Sequence, residues 1–350
     1  MSVTDIIHQL QKEQNLDDAD FLALLRADPS VDELLFACAR EVREKHYGKS
    51  IYIRGLIEVS NICRNDCYYC GIRCGNPHLE RYRLTAEDIL ESARIGHALG
   101  FRTFVLQGGE DPGLTRDTIC SVISTITKQY PDSAVTLSLG EKPHADYQAF
   151  FDAGATRYLL RHESANAAHY AMLHPERQRL EDRIACLYDL KAIGYQVGAG
   201  FMVGTPGETD EILLENIRFM QKLNPAMIGI GPFLPQHDTP FADKKPGTVS
   251  ATLRLLAILR LTFPYALIPA TTALASLSED GRIRGILAGC NVIMPNLSPA
   301  DVRSLYALYD NKASFGTEAA ESISMLRNLV ASIGYEVEIT RGDVKRGSAS

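Results

Sequence analysis

At 350 residues the chain is long enough for one large α/β barrel or two smaller domains, and 45% hydrophobic with 23% charged residues is the balance of a soluble globular protein. A net charge of −7 with no long basic run argues against nucleic acid as a partner. The most apolar stretch, 255–270, is broken by Arg260, Pro264 and Pro269, which excludes a membrane span there.

Residues 1–16 are polar and helix-like rather than basic-then-apolar, so no secretory leader is expected and the chain reads as cytoplasmic. Residues 1–48 form a predicted helical extension. From about residue 50, short apolar β-branched runs alternate with amphipathic segments. The predicted strands are 51–59, 103–107, 134–139, 157–162, 196–203, 227–233, 267–272 and 291–294. Most are continuous apolar runs, as parallel strands covered on both faces require. Helix signals lie between them. Thr85 and Asp88 form a capping box, and Ile184, Leu187 and Tyr188 share one helical face. Gly100, Gly154 and Gly194 stand where a left-handed helix end is needed before the next strand. Eight strand–helix repeats predict an α/β fold: a complete (βα)8 TIM-type barrel with C-terminal helices over 49–340, then a flexible tail over 341–350.

Chemistry in such a barrel sits where strands run into the following loops. Those ends carry polar, glycine and proline residues here, among them 61–70, 108–111, Ser138, 161–163, 204–208, 232–238, Thr271 with Thr272, and 295–296. Eight cysteines are present. Four lie between Cys63 and Cys74, whereas Cys38, Cys120, Cys186 and Cys290 are scattered. In a reducing compartment the tight group points to metal, and the lone ones to small buried hydrophobes.

Cys63, Cys67 and Cys70 follow the first strand in a C-x3-C-x2-C loop. Three thiolates hold three irons of a cubane [4Fe–4S] cluster and leave the fourth iron without a protein ligand. A structural zinc site is the competing reading, with Cys74 or His78 as a fourth ligand. The loop, with Tyr69 before its last cysteine, resembles the radical S-adenosylmethionine (SAM) superfamily signature. Gly108, Gly109 and Glu110 resemble that superfamily's segment for the SAM amino group: glycines permit close backbone approach, and a carboxylate suits an ammonium.

Longer strings at 105–112, 135–141, 157–163, 198–204, 228–233, 268–272 and 291–296 resemble the HydE family of FeFe-hydrogenase maturases, in the biotin synthase-like group. The resemblance implies reductive cleavage of SAM to a 5′-deoxyadenosyl radical. The radical would act on a small anionic organometallic substrate, a cysteine-bound iron carbonyl–cyanide unit, on the way to the diiron subcluster. It implies further partners: other hydrogenase maturases and a low-potential electron donor, a ferredoxin or flavodoxin. By the same resemblance Tyr69 packs near the adenine, and Glu163 and Arg183 contact SAM. Thr136 and Ser138, alternating on the third strand, point inward toward SAM or substrate. Arg161, Thr271, Thr272 and Met294 line the pocket beyond the radical.

Blander roles compete. Arg161 and Glu163, two residues apart, also suit a structural salt bridge; Thr271 and Thr272 suit plain structural roles, and Met294 core packing. His162 should face the helix layer. The chain departs from some family members at three places. Ser314, Ser322 and Met325 stand where a second cluster's cysteines would sit, so one cluster is expected. Gly108 replaces a familiar serine, and Cys74 is an extra cysteine in the loop. Two other readings stand beside maturation: a mutase like 3-methylornithine synthase, whose lysine substrate calls for an acidic distal pocket, and a non-catalytic carrier of an iron complex.

Overall fold

The apolar runs become strands because each is buried on both faces. The computed structural model describes residues 1–312 and 319–345. Its strands, all parallel, are β1 (Ser50–Ile53), β2 (Gly55–Ser60), β3 (Thr103–Gly108), β4 (Ala134–Ser138), β5 (Ala155–Leu159), β6 (Gln196–Ala199), β7 (Met202–Val203), β8 (Met227–Ile228), β9 (Gly231–Pro232), β10 (Val292–Ile293) and β11 (Glu336–Glu338). β1 and β2 are one strand bent at Arg54. The order β2-β3-β4-β5-β6-β8 continues through the bridges Met227–Leu267 and Pro269–Val292, and β10 then pairs with β1. The ring therefore closes as a (βα)8 barrel. The predicted seventh strand shrinks to the two bridges at Leu267 and Pro269, because proline gives the ladder no N–H. β7 and β9 extend β6 and β8 toward the loops and pair with each other.

The helix-boundary signals match the structure, whereas on helix Leu180–Ile193 Leu187 is buried and Tyr188 is exposed. Thr85 and Asp88 bond reciprocally, Thr85 Oγ1 accepting from Asp88 N at 3.1 Å and Asp88 Oδ2 from Thr85 N at 2.9 Å. Gly100, Gly154 and Gly194 all have positive φ. Helices Val3–Glu13, Asp18–Leu25 and Asp32–Tyr47 make up the N-terminal region. They are pinned to the outer helices by Arg218 on Asp18 (2.6 Å) and Arg254 on Asp32 (2.8 Å). Among the described residues no helix is long and apolar enough to cross a membrane. All eight cysteines are free; Cys38 and Cys290 are buried, while Cys120 and Cys186 are half-buried.

The predicted loose tail is corrected over 341–345. β11 pairs with β1, and the chain then straps the barrel's N-terminal end. The Arg341 carbonyl accepts from Thr103 Oγ1 and from Arg157, each at 2.8 Å. Asp343 pairs with the fully buried Arg157 guanidinium at 2.5 Å. A buried cation needs a partner, and sequence composition does not show that the tail supplies it. Residues 346–350 and Ser314 lie outside the described residues. Met325 is exposed on helix Ala319–Ala331.

Candidate functional site

The cysteine loop leaves β2 and is braced from below. Arg81 donates to four of its carbonyl groups: Asn61 at 2.7 Å, Ile72 at 2.8 Å, Arg73 at 2.6 Å and Asn76 at 3.2 Å. The glycine segment after β3 lies directly against it. A Cβ on Gly109 would stand 2.3 Å from the Ile62 carbonyl oxygen and 2.8 Å from Cys63 Cβ. Only glycine allows that approach, which places the backbone N–H of Glu110 3.4 Å from Cys63 Sγ; the loop's own Asn65 N–H stands at 3.4 Å as well. The adjacent Asp111, buried, takes a two-pronged hold from Arg83 (2.6 Å each) and accepts from Ser60 Oγ at 2.6 Å.

Burial pushes the Cys67 thiol up to about 12 and raises those of Cys63 and Cys70. Such thiols ionise when a metal supplies the compensating charge. Among the described residues no three His, Cys, Asp or Glu side chains, the three loop cysteines included, are grouped to hold a single metal ion. A cubane asks for something different, one thiolate per iron, and three half-buried thiols on one loop, with N–H donors on Cys63 sulfur, fit that demand. Cys74 is exposed; its sulfur accepts from Arg177 at 3.4 Å and its N–H donates to the Asn65 carbonyl at 2.8 Å.

Around the loop stand the other candidates. The Tyr69 hydroxyl meets His174 Nε2 at 3.1 Å, and His174 Nδ1 is held by the Tyr170 carbonyl at 2.9 Å. Burial holds His174 near 3, so it is neutral. The Glu110 carboxylate is engaged twice, by Arg64 (3.0 Å) and by the backbone N–H of Glu141 (2.9 Å). Glu141 in turn pairs with Arg183 at 2.7 Å. Burial works against the charge on Arg183, but Tyr170 and Glu141 hold its guanidinium charged. Glu163 has φ of 60°, a left-handed conformation that costs a non-glycine residue about 1–3 kcal/mol, as is common at functional sites. Its Oε2 meets Arg161 at 2.8 Å, the salt bridge foreseen as the bland alternative. His162 does face outward: its ring bonds Asn216 of helix Asp210–Leu223 at 3.2 Å.

Deeper in the barrel the remaining candidates separate into layers. Thr136 and Met294 line an interior cavity with Arg54, Leu159, Met227 and Pro269. Thr136, assigned to SAM or substrate, thus sits below the cysteine loop, and its Oγ1 is buried without a partner. Ser138, Arg161 and Thr271 follow Thr136, Leu159 and Pro269 by two residues, one layer nearer the loop. Thr271 Oγ1 is likewise buried and unpartnered, and Thr272 begins helix Thr272–Leu277 rather than ending a strand. Gly108 is partly buried, and a Cβ there would meet Val59 at 3.1 Å.

Sequence reasoning missed Arg54, Arg64, Glu141 and Gln178. Arg54 is 5% exposed, donates to Met227 Sδ at 3.0 Å, and leaves its Nε and second terminal nitrogen without partners. Burial lowers it to about 9. The available signal was an arginine inside a mostly apolar strand, which also carries the buried Glu58.

A family model of the radical SAM superfamily matches residues 57–220, which span the cysteine loop, the glycine segment, Glu163 and Arg183. The [FeFe] hydrogenase maturase subunit HydE of Thermotoga maritima is 41% identical over 99% of this chain and 99% of its own length. The chain belongs to the HydE family of the radical SAM superfamily. It is a radical SAM enzyme, and its cofactors are a [4Fe–4S] cluster and SAM. A more distant relative, 3-methylornithine synthase of Methanosarcina barkeri, is 30% identical over 84% of this chain and 83% of its own. The crystal structure of methylornithine synthase (PylB) superposes with a TM-score of 0.81 at 25% identity, covering 96% of this chain and 97% of that one.

Proposed function

We propose that the chain acts in maturation of the FeFe-hydrogenase active site, processing a small anionic iron carbonyl–cyanide unit inside the barrel. The observation that carries this reading is the 41% identity to the HydE maturase subunit over 99% of both chains. The buried Arg54 guanidinium, which forms no ion pair among the described residues, is consistent with an anionic occupant of the barrel. A charge so placed is costly unless something opposes it; Asp343 does so at longer range, and an anionic substrate would add to that. Arg161, one layer above and paired with Glu163, carries a further guanidinium, and the hydroxyls of Thr136 and Thr271 are buried without partners. A lysine substrate would bring a further ammonium toward these cations, which disfavours the mutase reading.

Cys63, Cys67 and Cys70 are the residues we assign to the cluster. Bound there, it supplies the electron that cleaves SAM to methionine and a 5′-deoxyadenosyl radical. Arg183 suits the SAM carboxylate, Glu163 the ribose hydroxyls, and Tyr69 the adenine, its ring fixed by His174. Glu110 suits the SAM ammonium, with Arg64 and the Glu141 N–H orienting its two oxygens. Ser138 and Gly108 border this wall; Thr272 and Met294 belong to the substrate side. The electron would come from a ferredoxin or flavodoxin, and the product would pass to other hydrogenase maturases. Eight free cysteines support action in the reducing cytoplasm.

The test is anaerobic reconstitution with iron and sulfide, then dithionite, SAM and either the cysteine-bound iron carbonyl–cyanide complex or lysine. 5′-Deoxyadenosine should rise with the iron complex and vanish in Cys63→Ala. Stimulation by lysine instead would transfer the chain to the mutase reading.

A further inference from the structure

We propose that Gln178 is a positioning residue for the cluster, donating a side-chain N–H···S hydrogen bond to the Cys67 sulfur and raising the reduction potential of the bound cluster. The inference rests on the assignment of Cys67 as a cluster ligand. Gln178 lies in the turn between helices Ala167–Leu173 and Leu180–Ile193. Its own backbone N–H is tied to the Pro175 carbonyl at 2.8 Å. From there Nε2 stands 3.5 Å from Cys67 Sγ, and Oε1 is also 3.5 Å away.

A neutral thiol can give its proton to Oε1. An iron-bound thiolate has no proton to give and only accepts, so the amide must then present its nitrogen. Hydrogen bonds to ligand sulfur withdraw charge from the cluster and favour its reduced form. On Cys63 those bonds come from backbone N–H groups of Asn65 and Glu110, which no side-chain substitution removes. On Cys67 the donor is a side chain, so this ligand can be tuned by sequence. The same turn also carries Arg177, which donates to the Arg64 carbonyl at 2.7 Å, and leads into the helix that bears Arg183. One short segment thus touches the cysteine loop at three points, Cys67, the Arg64 carbonyl and the Cys74 sulfur, and carries on to the guanidinium assigned to SAM.

The experiment is an EPR-monitored redox titration of the reconstituted cluster without SAM, in the parent protein, Gln178→Leu and Gln178→Glu. The midpoint should move to more negative potential in the leucine variant, which loses the donor, and further in the glutamate variant, which adds charge. An unchanged midpoint in Gln178→Leu at equal iron content overturns the proposal; a merely structural role would alter cluster content rather than potential. Pulsed EPR on the parent protein with 15N-labelled glutamine side chains reads the contact without any substitution. A nitrogen coupling on the reduced cluster is expected, and its absence overturns the proposal even if the variants assemble no cluster. Cys67→Ala is the separate control: a full cluster in that variant would sink the ligand assignment itself.

Discussion

A methyl group at position 109 has no room, since the Ile62 carbonyl oxygen and Cys63 Cβ already occupy its place. Gly109→Ala must push the glycine segment away from the cysteine loop, an overpacking that costs about 1–3 kcal/mol. Displacing reacting groups by an ångström costs as much as about 100-fold in rate. The expected result is lower iron and sulfide content after reconstitution and a loss of 5′-deoxyadenosine yield of at least about tenfold. Gly108→Ser is the contrast. Its nearest neighbours stand at 3.1 and 3.2 Å, so a shift of a few tenths of an ångström admits it, and most of the activity should survive. At this scale the sequence was clear about chemical type. Three cysteines stood together in one loop, and two glycines with a glutamate in another. It was silent about Arg64 and Glu141, because their link to Glu110 and Arg183 joins residues far apart in sequence.

The strap after β11 is the element whose role was least expected. Arg157 is fully buried and Asp343 is 45% exposed, so part of the pair's attraction is screened by water. Although burial raises the Asp343 carboxyl, its bond to Arg157 holds it below the usual carboxylate range. That contribution is present above the unfolded value and is lost as pH falls through the folded one. Asp343→Ala should cost about 1–3 kcal/mol, less than breaking a wholly buried pair. It would show as a lower urea midpoint at pH 7, with the loss shrinking as the medium is acidified. SAM cleavage by the reconstituted variant should be unaffected, since the strap closes the end of the barrel opposite the cysteine loop. A loss of cleavage with no loss of stability would contradict this assignment.

Across the whole molecule the barrel is unevenly stitched. β2, β3 and β4 share five-residue registers, whereas the seventh segment is joined by single bridges at Met227–Leu267 and Pro269–Val292. Local opening follows the weaker hydrogen bonding. Amide hydrogen exchange should therefore be slowest in β3 and β4 and fastest, among barrel segments, over 267–269 and 292–293. Uniform protection around the ring would show that side-chain packing rather than the ladder governs opening. A weak seam beside the cavity that Arg54 and Met294 line would also be the easiest part of the barrel to loosen around a substrate.

The sequence by itself determined the repeat of eight strands and helices, because apolar runs, caps and helix-ending glycines act within a few neighbouring residues. It also determined the cluster chemistry, since the three cysteines lie on one short loop. Only the tertiary structure decided that Thr136 and Met294 belong to a lower cavity, that Thr272 opens a helix, and that the tail closes the barrel. It alone placed Gln178 on Cys67 and left Arg54 without an ion pair. These facts depend on how strands distant in the chain are staggered around the ring, and the stagger is set by packing of the whole core rather than by local pattern.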